Sequence, residues 1–314
     1  LPSNQNPSGA LPARFRRPRL LIVGCGDVGV RVLRALSQGG NASPRPRLRV
    51  LALTSSAERV AELRALGAEP LLGNLDAPAT LRRLAGVATH VLHLAPPPQS
   101  GATDPRTAAL LAALRLRTLP KTLVYASTSG VYGDCGGAWV AETRTVAPAT
   151  ARARRRVHAE QSMRRFGRAG VRASVLRVPG IYAPDRANGT PEARLRRGTP
   201  VLRAQDDVVT NHIHADDLAR ACLAALWRGA PQRIYNLSDE SQLPMGDYFD
   251  LAADLYGLPR PPRIARSEMA EQLGAMQMSF MSESRRLDTT RMVCELGLRL
   301  AYPTVEQGLR AASA

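Results

Sequence analysis

Along the first half of the chain, short unbroken apolar runs alternate with longer stretches in which apolar residues recur at helical spacing. The runs fall at 19–25, 49–54, 69–72, 89–95, 121–127 and 171–178, and they predict strands. The stretches between them, at 27–38, 56–67, 79–85, 105–118 and 150–168, predict helices. A strand with one face in water alternates polar and apolar positions. These runs do not alternate, so both faces must be covered, as in a parallel sheet sandwiched between helices. The expected fold is therefore α/β and doubly wound, with right-handed crossovers. After residue 179 the pattern loosens. Strands are expected at 200–203, 208–213 and 233–237, and helices at 216–228, 243–256, 267–275, 289–296 and 304–312. PRPPR at 259–263 interrupts them, because proline cannot continue a helix. A Gly- and Pro-rich loop is expected at 37–48, and residues 1–18 read as a disordered tail. The resulting division is 1–18 tail, 19–179 main α/β domain, and 180–314 mainly a smaller C-terminal lobe with some segments returning to the main domain.

The junction of the first strand and first helix carries the sharpest motif. It reads LLIVGCGDVG, with Gly24, Gly26 and Gly29 as G-x-G-x-x-G between a buried strand and a helix. This is the context of a Rossmann dinucleotide loop. Gly24 permits the tight turn, Gly26 leaves room for a pyrophosphate, and Gly29 lets the helix approach the sheet. The loop residues Cys25, Asp27 and Val28 join them as cofactor-site candidates, with Cys25 a small residue under the cofactor. The helix N-terminus offers free N–H groups to an anion. An acid at the end of the second strand would favour NAD by binding its ribose hydroxyls. Here Thr54, Ser55 and Ser56 are neutral, and Arg59 follows. Arg59 is either the partner of a 2′-phosphate or an ordinary solvated helix residue. The expected cofactor is NADP in preference to NAD.

Composition changes this picture in two ways. The formal net charge is +17, which favours anionic partners. Nearly all of it is arginine, since Lys121 is the only lysine, and aromatic residues do not interleave with the basic ones. A nucleic-acid surface is therefore not expected, because it would want stacking groups among the charges. No stretch is long and apolar enough for a membrane helix. The cysteines Cys25, Cys135, Cys222 and Cys294 form no C-x-x-C pair, so a reduced, cytoplasmic protein without a metal site is expected.

Several ordered stretches resemble the short-chain dehydrogenases/reductases of the extended or atypical type, in the NAD-dependent epimerase/dehydratase group. They are GCGDVG at 24–29, HLAPP at 93–97, VYASTSGVYGD at 124–134, LRVPGIYAP at 176–184, NHIHADDLARA at 211–221, IYNLSDE at 234–240, SESRRLDTTR at 282–291, ELG at 295–297 and YPTVEQGL at 302–309. The resemblance implies a Rossmann domain that binds NAD or NADP, with Ala95 and Pro96 of the HLAPP stretch beside the cofactor. It also implies a C-terminal lobe that holds the substrate, commonly a nucleotide sugar, and a homodimer formed through the helices near 105–118 and 150–168.

Active members use a Ser or Thr together with a Tyr-x-x-x-Lys pair. Thr128, four residues before Tyr132, falls at the Ser/Thr position. In PATARARRRVHAE, anchored on Pro148 and Glu160, the Tyr position falls on Arg152 and the Lys position on Arg156. Arginine has no accessible neutral form and cannot exchange a proton near neutral pH. It can stabilise negative charge, and Arg156 would replace the ribose-binding lysine. The pair predicts an anion pocket beside the nicotinamide, or, if the register slips, two solvated arginines. The glycine spacing also departs from the G-x-x-G-x-x-G usual in extended members.

Tyr132 and Tyr182 are the phenols expected nearest the cleft, Tyr182 from the substrate lobe. His93 reads as a packed histidine, and His158 points away from Arg156. His212, His214, Asp216 and Asp217 resemble a family segment in which an aspartate caps a helix and joins the lobes, without metal. Two functions stay open. One is an oxidoreductase acting on a small anionic or nucleotide-linked alcohol or carbonyl. The other is a catalytically inactive dinucleotide-binding sensor or scaffold.

Overall fold

The computed structural model describes residues 17–38, 48–272 and 281–310. Most of the expected tail and of the loop at 37–48 lies outside the described residues, as does the end of the helix expected at 267–275.

The main sheet uses β1 (Arg19–Val23), β2 (Arg49–Thr54), β3 (Glu69–Leu72), β4 (His90–His93) and β5 (Thr122–Thr128). After the two-residue strand β6 (Trp139–Val140) come β7 (Arg172–Val178), β8 (Gly180–Tyr182), β9 (Val201–Leu202), β10 (His212–His214) and β11 (Arg233–Asn236). Seven of them form one sheet in the order β11-β7-β5-β4-β1-β2-β3. Every pairing in it is parallel, for example Leu20 opposite Val50 and His90. The order reverses direction between β1 and β4. In such sheets the crevice beyond the strand ends at that point receives the ligand.

The unalternating strands are explained by the two cores. Leu20 and Ile22 pack on one face with Val32 and Leu33 of α1 (Asp27–Gln38) and with Leu218 and Cys222 of the helix Ala215–Arg228. Leu21 and Val23 pack on the other with Leu110 and Leu114 of the helix Pro105–Arg115, and with Met163 and Phe166 of the helix Ala151–Gly167. Each fully buried aliphatic side chain stabilises the fold by about 1.5–3 kcal/mol. A strand feeding two cores therefore has no polar position to spare. The expected helix at 79–85 is a 3-10 helix over Pro78–Leu84.

A third core belongs to the smaller lobe and gathers Tyr182, Leu195, Val201, Tyr248, Phe249 and Leu309. The lobes are tied by charge. Arg31 of α1 is 6% exposed and meets three carboxylates: Asp27 at 3.2 Å, Asp185 at 2.6 Å and Asp216 at 2.6 Å. The expectation that an aspartate caps the helix after β10 is corrected. His214 accepts the capping bond from the Asp216 amide. Buried Asp217 instead accepts from the amides of Ala301 and Tyr302, at 2.8 Å each, and so fastens the chain's last segment to this helix.

Candidate active site

The three glycines of the first turn are held for different reasons. Gly24 has φ +88, and a Cβ there would lie 2.4 Å from the Ala95 amide nitrogen. Only glycine suits both that conformation and that approach. A Cβ on Gly26 would meet nothing within 4 Å, so the space before α1 is open. A Cβ on Gly29 would press on the Cys25 sulfur and the Gly24 carbonyl, both at 3.2 Å. An open position backed by a helix N-terminus fits a pyrophosphate.

Around this loop, Ala95 is buried and its amide donates to Val23 O, whereas Pro96 is exposed. Cys25 is buried, and burial pushes its thiol up to about 11, so it is no nucleophile. Val28 packs against the α1-side core. The Asp27 carboxylate is shared between Arg31 and Arg186. Thr54 is buried at the end of β2, with its Oγ1 accepting from the Ser56 amide, and Ser55 is exposed. Arg59 reaches back to donate to Cys25 O at 2.5 Å while pairing with Glu62 at 3.0 Å. Its guanidinium thus lies beside the glycine loop.

The second half of the site is a cleft of about 470 Å³ between the lobes. Thr128 lines it from the end of β5, with Oγ1 accepting from the Gly130 amide. Arg152 and Arg156 line it from the first turns of the helix Ala151–Gly167. Their orientation is set by that helix. Thr150 caps it, accepting from the Ala153 amide at 3.1 Å. One turn after Arg156, buried Glu160 accepts from Ser127 at 2.6 Å and pairs with Arg177 at 2.7 Å, pinning the helix to β5 and β7. Arg156 is itself anchored on β5, donating to the Tyr125 hydroxyl at 2.9 Å and to Ala126 O at 2.8 Å. Burial pushes the Tyr125 phenol up to about 12, so it stays a neutral acceptor.

The opposite wall comes from the smaller lobe. Arg194 lies over the Phe249 ring at 4.4 Å, with Nε and Nη2 buried and without hydrogen-bond partners. Tyr182 lines the cleft, but its hydroxyl is occupied in donating to Thr304 O at 3.2 Å. His212 lines it with its ring 4.3 Å from Tyr248, and burial holds its imidazole near 4, hence neutral.

Tyr132 is corrected. Its hydroxyl donates to Asn236 Oδ1 at 2.7 Å, its ring lies under Arg177, and it is 1% exposed. It supports β5 from behind and does not line the cleft. His93 is likewise internal, bonded to Thr107 at 2.9 Å, and His158 accepts from the Asp104 amide. Among the described residues, no cluster of His, Cys, Asp and Glu could hold a metal, and all four cysteines are free. No helix among them is long and apolar enough to cross a membrane.

Sequence reasoning missed Arg194, Arg285 and Glu283. All three line the cleft, and among the described residues Glu283 is its only acid. Glu283 and Arg285 are bonded at 2.7 Å, and Arg285 also donates to Gly133 O. The SESRR stretch that carries them was legible as a family-like segment. Its path back to the end of β5 was not.

Comparison with known proteins gives a consistent result. Residues 20–238 match the model of the NAD dependent epimerase/dehydratase family. A functionally unknown conserved protein from Silicibacter pomeroyi DSS is 32% identical, with 94% of this chain and 97% of that one covered and a TM-score of 0.75. UDP-glucose 4-epimerase from Thermotoga maritima, solved with UDP-glucose, is 20% identical, with 93% and 96% covered and a TM-score of 0.74. UDP-glucuronic acid 4-epimerase from Bacillus cereus, in complex with NAD, is 17% identical, with 93% and 96% covered and a TM-score of 0.71. The last two likenesses show the fold alone. No curated protein matches the chain. By the family match over most of its length and the 32% identical relative, the chain belongs to the NAD dependent epimerase/dehydratase family.

Proposed function

We propose that this protein binds NADP(H) in preference to NAD(H) and interconverts an alcohol and a carbonyl on an anionic or nucleotide-linked substrate. One observation carries the proposal: Arg152, Arg156, Arg194 and Arg285 line a single cleft together with Thr128, against one carboxylate. Guanidinium groups bind carboxylates and phosphates through charge-assisted hydrogen bonds, which a half-buried cleft strengthens. Four guanidinium groups against one carboxylate leave the cleft net positive, which favours an anionic substrate over a neutral sugar. The UDP-glucose and NAD bound to the relatives named above support a nucleotide-linked substrate and a dinucleotide partner.

A bound dinucleotide supplies the hydride acceptor or donor. The chain's own groups do the rest. Thr128 orients the reacting hydroxyl, Arg156 takes the ribose-binding place of the family lysine, and Arg152 and Arg194 clamp the anionic end. For the cofactor choice, β2 ends without an acid, and Arg59 lies beside the loop as the partner of a 2′-phosphate.

A second reading, a dinucleotide-loaded sensor or scaffold without turnover, is favoured by the guanidinium groups at both positions of the family's proton-transfer pair. Arg152→Tyr combined with Arg156→Lys separates the two in a screen of hydroxy acids, oxo acids and nucleotide sugars. Wild-type turnover that the double substitution lowers at least tenfold supports the enzyme. Activity present only in the double variant supports the sensor. Wild-type turnover left unchanged shows that the two arginines stand outside the reaction.

A further inference from the structure

An arginine at the tyrosine position leaves the cleft without the family's proton-transfer phenol, yet a titratable group stands beside the place that phenol would serve. A Cβ built on Gly130 would lie 3.6 Å from Thr128 Oγ1 and 3.7 Å from Glu283 Oε2. The carboxylate and the threonine hydroxyl thus border one small space at the end of β5. Glu283 is 10% exposed by its side chain, and it lines the same cleft as Arg152.

We infer that Glu283 is the proton-transfer group of this cleft, working beside Thr128 in the place that tyrosine holds in other members of the family. The inference rests on the cleft being a site of alcohol–carbonyl interconversion. In the oxidising direction the substrate O–H bond breaks, and its proton passes to Glu283, which becomes a neutral carboxylic acid. The carbinol C–H bond breaks with its electron pair, which leaves as hydride to the oxidised nicotinamide dinucleotide, and the C=O double bond forms. In reduction the same proton returns to the alkoxide oxygen.

The surroundings suit both protonation states. Arg285 from the same segment and Arg152 from the facing helix stabilise the carboxylate, while Asp134 from the turn after β5 opposes it. Burial outweighs the two cations and holds the carboxyl above its ordinary range. Besides clamping the anionic end of the substrate, Arg152 steadies the carboxylate by its charge, and it has no proton of its own to exchange.

Two measurements test this. Carboxyl carbon NMR on NADP⁺-loaded, glutamate-labelled protein, with Glu283 assigned by its loss in Glu283→Gln, should place its titration midpoint above that of free glutamate. The acid limb of the wild-type kcat–pH profile, on whichever hydroxy acid or nucleotide sugar turns over, should coincide with that midpoint. Glu283→Gln should lower kcat by about 100-fold or more with KM little changed, the usual worth of a general acid–base group. Glu283→Asp should recover part of the loss and stands in if the glutamine variant fails to fold. A midpoint at or below the ordinary glutamate value, or wild-type kcat in Glu283→Gln, overturns the inference and leaves the oxidoreductase reading intact. In the latter case, loss of kcat on replacing His212 by glutamine would mark the imidazole as the group instead. NADP⁺ binding without turnover of any alcohol or carbonyl overturns the oxidoreductase reading and the inference with it.

Discussion

The two halves of the site differ in how they are built. The glycine loop is made by a local stretch of chain, in which β1, the turn and α1 follow one another, and its shape depends on backbone conformation at three positions. The cleft is assembled from segments far apart in the chain, among them the end of β5, the helix Ala151–Gly167, the stretches around Tyr182, Arg194 and His212, and residues 281–285. The first is a G-x-G-x-x-G turn between a buried strand and a helix, and it offers backbone N–H groups. The second sets the guanidinium groups of Arg152 and Arg156 in its wall and brings in a carboxylate, Glu283, from the far end of the chain. A binding function that relies on backbone tolerates little change. A wall built from side chains can exchange its chemistry while the fold stays.

The largest effects should come from the loop, and the two glycines should part company. Gly24→Ala forces a side chain at φ +88 into the backbone of Ala95, so folded protein should not accumulate, as read by circular dichroism and expression yield. Gly26→Leu has open space around it and should fold with an unchanged melting temperature. It should nonetheless lose NADP(H) affinity by about 100-fold or more, because the side chain occupies the phosphate approach. Calorimetry checks the second half. A Gly26→Leu protein that binds normally would break the comparison, since the open space would then have another use.

A middle-sized effect is expected at Arg59. Removing its guanidinium by Arg59→Ala should weaken NADP(H) by about tenfold and leave NAD(H) within about twofold, the scale of one exposed charge-assisted hydrogen bond. Titration with both nucleotides, at low and high salt, reads it. Equal losses for the two cofactors would mean that Arg59 merely braces the glycine loop through Cys25 O.

The smallest effects concern pH. Burial holds His90, His93 and His212 near 4 in the folded chain, below the ordinary 6.5. Their neutral forms favour the fold above about pH 6.5, and that contribution is lost as pH falls toward 4, because the unfolded chain takes up protons that the folded chain refuses. Asp239 has the opposite sign. Burial raises its carboxyl from 3.8 to about 7, so its burial favours the fold at low pH and opposes it as pH rises through 7. Asp239→Asn should raise the melting temperature at pH 8 by about 2–4 °C, roughly the shift expected for 1 kcal/mol in a domain of this size, and by less at pH 5. A thermal series across pH decides the sign.

Much of the sheet was legible because a strand buried on both faces must be apolar throughout, and the runs at Leu20–Val23 and Leu51–Leu53 carry that signature. The positions of Thr128, Arg152 and Arg156 were legible from spacing to Tyr132, Pro148 and Glu160. The face each presents was not, since it depends on Glu160 meeting Ser127 and Arg177 across two strands. Tyr132 illustrates the limit. Its place beside Thr128 in sequence suggested a phenol near the cleft, but the turn that follows β5 sends its hydroxyl to Asn236 of β11.

By itself the sequence determined what is local: the doubly wound sheet, the glycine turn, the neutral residues that end β2, and the arginines that open the helix Ala151–Gly167. Each is read within a few residues of chain, where periodicity, φ preference and side-chain chemistry act directly. Only the tertiary structure decided which charges meet. Glu283 is more than 150 residues from Thr128 in sequence, yet the two border one space; Arg31 gathers three carboxylates from three segments. Electrostatic and hydrogen-bond energies fall with distance through space, not along the chain, and no local pattern records them until packing has brought the groups together.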